Sequence, residues 1–361
     1  MGAPALVHTP DDVTAEWLTS ALHVAGALAA GARVVSFEAT PIGTGQMADT
    51  VRFTLTLDQP GNGPQSVVGK FASADEQSRA TGLALRAYEI EVRFYREVAG
   101  RVTARLPGTY VAEVDAETGW FTLLLEDVVG ASQGDQIEAC DVGTAAAVLE
   151  EMAGLHAPCW EAADLGCLEW LDRETPESDQ LLAGLMSMLA PGFLERYADT
   201  MAPEHQEVCR LFAQRIPLWG ELRRNGPRTA SHGDFRLDNL LFQPGQLRPV
   251  VVDWQTVSWS AGSGDVAYFI GGCLSVEDRR AHELELLAHY HDALCRHGVR
   301  GYTLEQLQAD VRRDTYFGIR IGMVASMLVQ RTERGDLMFL TSVSRHAQHV
   351  LDADALALLE A

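Results

Sequence analysis

The spacing of apolar residues changes period along the chain, and that change divides it. Asp11 to Leu22 places Val13, Trp17, Leu18 and Leu22 on one stripe behind the capping residues Thr9, Asp11 and Asp12, which predicts a helix. From Arg33 to Leu57 the period drops to two: Val34, Val35 and Phe37 precede a loop, and Val51, Phe53, Leu55 and Leu57 then alternate with polar residues. Alternation of this kind builds half-buried strands. Asp58 to Pro64 is a polar connector to another strand, Val67 to Phe71. Leu83, Ala87, Ile90, Phe94 and Val98 return to helical spacing and predict one helix over about 79–99. Tyr110–Val114 and Trp120–Leu125 form a further hairpin.

Beyond a polar, Gly-containing connector at about 126–134 strands give way to helices. They are predicted at 141–156, about 177–190, 203–224, 276–297, 303–331 and 335–358, with a further helix start at Gly264. One β pattern interrupts them, from Ser231 to Asp253: a polar loop, the apolar run Leu240-Leu-Phe, a turn at Pro244–Gly245, and Pro-Val-Val-Val-Asp-Trp-Gln. The expected class is α+β, in two lobes. Residues 1–126 form a small antiparallel sheet with one long helix, and residues 127–361 form a larger, mostly helical lobe.

Composition adds exclusions. The chain has 361 residues, enough for two cores, and its 47% hydrophobic and 22% charged content are ordinary for a globular protein. A formal net charge of −22 argues against nucleic acid as a partner, because phosphate binding needs clustered Lys and Arg. No apolar run reaches membrane-spanning length and the N-terminus has no signal pattern. The six cysteines contain no Cys-x-x-Cys pair, so free, mostly buried thiols and a reducing, cytoplasmic setting are expected. Oligomeric state is not readable.

One count is sharper. Of the 28 basic residues only Lys70 is lysine. A bias toward Arg explains the other positions, and the position that resists it should need a compact ammonium on a flexible stem. Lys70 lies on a predicted strand, and Glu91 lies at the edge of the apolar stripe on the following helix. The two are a candidate ion pair, with a solvated Glu91 as the alternative. Gly43 and Gly45, at the tip of the first hairpin, would let the backbone approach an anion and donate N–H groups to it, although most Gly-x-Gly turns are only turns. The Ser231–Asp253 hairpin should bring Asp234, Asn239 and Asp253 together. Two carboxylates and an amide oxygen suit a hard cation such as Mg²⁺ and phosphate chemistry.

Taken in order, the Gly-rich hairpin, Lys70, Glu91, Leu-Leu-Glu126-Asp, His232-Gly-Asp234-x-x-x-x-Asn239 and Asp253-Trp-Gln resemble the aminoglycoside phosphotransferase and choline kinase superfamily, with its protein-kinase-like fold. Asp-Phe-Arg-Leu-Asp-Asn-Leu-Leu-Phe and Gly-Asp265-Val-Ala-Tyr look closest to the ecdysteroid-kinase-like branch and its bacterial relatives, and the resemblance covers about 33–275. It implies an ATP- and Mg²⁺-dependent kinase that phosphorylates a hydroxyl of a small acceptor: aminoglycoside-, amino-alcohol- or steroid-like. Asp234 would take the acceptor's proton, Asn239 and Asp253 would hold Mg²⁺, and Lys70, fixed by Glu91, would contact the α- and β-phosphates. Gly43 and Gly45 would cover the phosphates, adenine would meet backbone near Glu126 and Val128, and Arg236 would stand near the γ-phosphate. His232 and Asp265 look structural.

The pattern departs from the protein kinases in lacking the third loop glycine and the Ala-Pro-Glu segment, in having Gly before Asp234, and in replacing Asp-Phe-Gly by Asp-Trp-Gln. A protein substrate and an activation-loop switch are therefore not expected. Two rivals have specific content: a pseudokinase-type nucleotide-binding regulatory module without turnover, and a hydrolytic metal site on His232, Asp234 and Asp238. The second lacks another His-rich cluster. The acids Glu161, Asp164, Glu169 and Asp172 could attract an amine-bearing substrate, but a solvated acidic face is the commoner reading of such a group.

Overall fold

Alternation becomes a sheet as expected. A computed structural model describes residues 5–43 and 47–360. Its strands β1 (Val34–Pro41), β2 (Ala48–Leu57), β3 (Ser66–Ala72), β4 (Thr109–Val114) and β5 (Phe121–Glu126) pair antiparallel in the order β1-β2-β3-β5-β4. Helix α1 (Ala15–Val24) buries Leu18, Ala21 and Leu22 against Val34, Phe53, Val67, Phe71 and Leu124. The predicted caps shift here. Thr14 caps α1 by accepting from the Trp17 N–H, and Pro10–Asp12 form a separate short turn.

The helix predicted over 79–99 is broken. α2 (Glu76–Ala84) ends at Leu85, Arg86 takes a left-handed conformation (φ 56°), and α3 (Ala87–Arg93) restarts, followed by a π-helical turn at Phe94–Val98. Packing causes the break. Tyr88 folds back over Gly82, where a Cβ would collide with its ring, stacks on Phe121 (4.6 Å between centroids) and donates its hydroxyl to the Met47 carbonyl.

The remaining elements are β6 (Ser132–Gln133), α4 (Val142–His156), α5 (Pro176–Arg196), α6 (Pro203–Ala213), α7 (Ile216–Arg224), β7 (Thr229–Ser231), β8 (Leu240–Phe242), β9 (Val250–Val251), β10 (Ser258–Ser260), α8 (Ser263–Cys273), α9 (Val276–Arg296), α10 (Leu304–Asp314), α11 (Phe317–Leu328) and α12 (Glu333–Asp352). The predicted helices 203–224 and 303–331 are each two, interrupted near Gln214–Arg215 and Thr315–Tyr316. β6, β8 and β9 form a three-stranded sheet with Leu240 opposite Val251, so the expected hairpin is present. α5, α6, α7, α11 and α12 share a core around Phe193, Phe212, Trp219, Tyr316 and Val343, and every residue of α8 is buried.

The chain forms two compact units. One contains Met1–Gly100, Leu106–Ala131 and Val252–Thr256, and the other contains Arg101–Arg105, Ser132–Val251 and Val257–Ala361. A linear division near 126 assigns Asp253-Trp-Gln to the helical part. The fold instead counts that segment with the sheet, where Trp254 is fully buried and stacks on Phe94 (3.8 Å, 7°).

Candidate active site

In the sheet unit, β3 alternates. Val67, Gly69 and Phe71 are buried, Val67 and Phe71 in the core that α1 shares, while Lys70 projects to the opposite side, between Thr50 of β2 and Leu123 of β5. The break at Arg86 reorients α3. Its Glu91 is 2% exposed, and its two carboxylate oxygens lie 2.6 and 2.7 Å from the Lys70 ammonium. Asp253 Oδ1 lies 3.3 Å from the same nitrogen. Burial opposes the lysine's charge, but the Asp253 and Glu91 carboxylates outweigh it and hold the Lys70 pKa above its ordinary value. Glu91 also accepts from the Trp254 backbone N–H at 3.4 Å. The other acid on this helix, Glu89, is spent on Arg86 and Arg93. Asp253 itself is held at φ 71°, a conformation an ordinary side chain visits rarely, and one that tends to collect at functional sites.

Gly43 sits at φ 78° just beyond β1, with the hairpin closed by Ile42 N–H donating to the Thr50 carbonyl. A Cβ would strain the backbone there although nothing fills the space beside it. Gly45 falls outside the described residues. Glu126 ends β5 and pairs its backbone with Gly108, while the Val128 carbonyl accepts from Ala131. Between them Asp127 is a buried anchor, gripped by Arg52 at 2.7 and 3.0 Å and by the Ser66 hydroxyl at 2.6 Å.

In the helical unit the catalytic-loop candidates surround Asp234. Asp265, fully buried on α8, accepts from the backbone N–H groups of His232 (2.7 Å) and Gly233 (2.9 Å) and contacts the His156 imidazole (3.1 Å). Burial pushes its carboxyl upward, yet His156, His232 and the Gly233 N–H together hold it below the usual range. Gly233 adopts φ 80°, so the turn into Asp234 favours glycine. His232 Nδ1 accepts from the Asp234 N–H. Both residues expected to be structural therefore brace the loop.

Asn239 donates its amide to the Asp234 carbonyl and to Asp234 Oδ2, each at 2.9 Å. Neither partner can donate, so the amide nitrogen is fixed toward Asp234 and its oxygen is turned away. Arg236 does not stand as a free cation. Its Nε meets Asp234 Oδ2 at 3.1 Å and its Nη1 pairs with Asp238. These contacts raise its pKa against the opposing effect of burial.

Several residues here escaped the sequence reading. Tyr268 donates to Asp234 Oδ1 at 3.1 Å. Gln136, 1% exposed, accepts from the Leu237 N–H and donates to the Gly272 carbonyl, and Asp238 accepts from its backbone N–H. His156 and Asp127 complete the list. Only Tyr268 carried a signal: it follows Asp265 by three, hence on the same helical face.

Of the rival hydrolytic set, Asp238 is engaged by Arg236 and the Gln136 N–H, and among the described residues no three His, Cys, Asp or Glu are grouped to hold a metal. Of the acidic group, Asp164 pairs with Arg101, Asp172 with Arg228, and Glu161 accepts from the Arg228 N–H. All six cysteines are free thiols, three of them buried, and no described helix is long and apolar enough to cross a membrane.

No curated protein matches the sequence. The family model DUF1679, described as "Uncharacterized oxidoreductase dhs-27", matches residues 228–359. Among solved structures, choline kinase from Cryptosporidium parvum superposes with a TM-score of 0.55 at 8% identity, covering 94% of this chain and 95% of that one. Plasmodium vivax ethanolamine kinase gives 0.53 at 12% identity, over 98% and 90%. A Ralstonia eutropha protein named as an aminoglycoside phosphotransferase gives 0.53 at 15% identity, over 93% and 98%. At such identities the likeness establishes the fold, and it is the fold expected from the motifs.

Proposed function

For a chain with the fold of these small-molecule kinases, we propose an ATP- and Mg²⁺-dependent phosphotransferase acting on a hydroxyl of a small acceptor. The observation that carries this reading is the single lysine, 14% exposed and clamped between Glu91 and Asp253. A charge cluster built on the buried Glu91 is a poor source of stability, so its value lies elsewhere, and a fixed ammonium suits the α- and β-phosphates of ATP. Asp253 and the amide oxygen of Asn239 would hold Mg²⁺, and Gly43 and Gly45 would let the backbone cover the phosphates. Backbone at Glu126 and Val128, steadied by Asp127, receives the adenine. Mg²⁺, when bound, neutralises charge on the transferred group. Asp234 orients the acceptor hydroxyl and takes its proton, while Arg236 keeps that carboxylate in place.

The test is ADP release from ATP and Mg²⁺ against sugars, aminoglycosides, amino alcohols and steroid-like alcohols. At least one acceptor is expected to give turnover that EDTA abolishes. Asp234→Asn should lose about 10²-fold or more of that turnover while binding ATP as before. ATP binding without ADP release for any acceptor would instead mark a nucleotide-binding module, and wild-type turnover by Asp234→Asn would remove Asp234 from the mechanism.

A further inference from the structure

The Asp234 carboxylate is used unevenly. Each of its oxygens has two lone pairs. Oδ2 spends both, on Asn239 Nδ2 at 2.9 Å and Arg236 Nε at 3.1 Å. Oδ1 receives a single donor among the described residues, the Tyr268 hydroxyl at 3.1 Å. The side chain of Asp234 remains 22% exposed, so the open lone pair can be reached.

Tyr268 is held from several directions. It is 4% exposed, its ring lies flat against His346 (5.4 Å between centroids, 15°) and it meets Phe317 at 5.9 Å. Its helix already fixes the backbone of His232 and Gly233 through Asp265, one turn earlier. Thus α8 holds the catalytic loop twice, by its main chain and by the working carboxylate. Burial, reinforced by the neighbouring Asp234 charge, keeps the phenol protonated and therefore a donor.

We propose that Tyr268 is a positioning residue that designates Asp234 Oδ1 as the proton-accepting oxygen and aims its free lone pair at the acceptor. This rests on the kinase reading above. In the step it serves, the acceptor's O–H bond breaks and its proton forms an O–H bond with Asp234 Oδ1. The acceptor oxygen bonds to the γ-phosphorus, the bond from phosphorus to the β–γ bridging oxygen breaks, and that oxygen leaves with its electron pair on ADP. Tyr268 keeps its own proton throughout, and the proton on Asp234 returns to solvent before the next turnover.

Tyr268→Phe removes the hydroxyl and keeps the stacked ring, so it should fold. With an acceptor that the wild type phosphorylates, kcat is expected to fall about tenfold, the worth of one hydrogen bond to a charged group. KM for ATP and the melting temperature should stay at wild-type values. Phe317→Leu, which loosens the packing against the Tyr268 ring but leaves its hydroxyl, should lower the melting temperature and so calibrates what loosened packing alone does to kcat. Unchanged kcat in Tyr268→Phe overturns the proposal. So does a loss of kcat accompanied by a fall in melting temperature in the proportion that Phe317→Leu sets. If the wild type binds ATP but turns over no acceptor, the kinase reading has failed and Tyr268's role falls with it, an outcome read without any Tyr268 variant.

Discussion

At the scale of residues, the most informative position is the one where the chain declines its own habit. Arg serves at 27 of 28 basic positions, and Lys70 is the exception. Its ammonium meets three carboxylate oxygens within 3.3 Å from two directions. A guanidinium is planar and longer, so it can satisfy Glu91 or reach past it, but it cannot place one small cation at that point. Lys70→Arg should keep the protein folded and lower kcat/KM for ATP at least about tenfold, read by steady-state kinetics across ATP concentrations. A variant as efficient as the wild type would mean that charge alone matters there. Lys70 was legible because rarity, strand position and a following acid pointed the same way. Tyr268, though on Asp265's face of the helix, had nothing to distinguish a tyrosine that packs from one that also donates.

At the scale of elements, three glycines explain how the helical core closes. Gly271 and Gly272 of α8 and Gly318 of α11 form a notch in which the His346 ring of α12 lies. A Cβ on Gly271 would come within 2.7 Å of the imidazole, and one on Gly318 would run into it. Gly318→Ala should therefore cost about 1–3 kcal/mol of overpacking, measurable as a lower midpoint in urea, despite the better helix propensity of alanine. An unchanged or higher midpoint would show that α12 can slide to make room. Comparable packing lay behind the element the sequence misjudged. The stripe from Leu83 to Val98 is continuous in period, and only the approach of Tyr88 to Gly82 breaks it. Periodicity reports which face is apolar, and it carries no information about a glycine awaiting a ring from its own chain. The strands, whose alternation reflects a local pleat, were correspondingly well read, and the contact of Asn239 with Asp234 lies within a loop short enough for the motif to place.

At the scale of the molecule, stability and pH are joined through the same histidine. His346 is fully buried, and neither ring nitrogen has a hydrogen-bond partner among the described residues. Burial first, then His349, Arg279 and Arg345, hold its pKa well below its ordinary value. The unfolded chain binds a proton near pH 6.5 that the folded chain refuses, so stability is complete above that pH and declines below it, by up to about 1.4 kcal/mol per pH unit. A net charge of −22 works the other way, since acidification relieves self-repulsion. The comparison that isolates the histidine is the slope of melting temperature between pH 7 and pH 5. From pH 7 to pH 5 the melting temperature of His346→Leu should fall less, or rise more, than that of the wild type, and equal changes would assign the acid sensitivity to other groups.

The lone lysine has a further use at the bench. Apart from the chain's α-amine, it is the only primary amine, and its side chain is 14% exposed and bound to two carboxylates. Amine-directed acylating reagents thus have a single internal target, and its ion pairs with Glu91 and Asp253 should slow its reaction. The rate of its modification, followed by mass spectrometry of intact protein, reports the accessibility of that one side chain, and ATP is expected to slow it if Lys70 meets the phosphates as proposed.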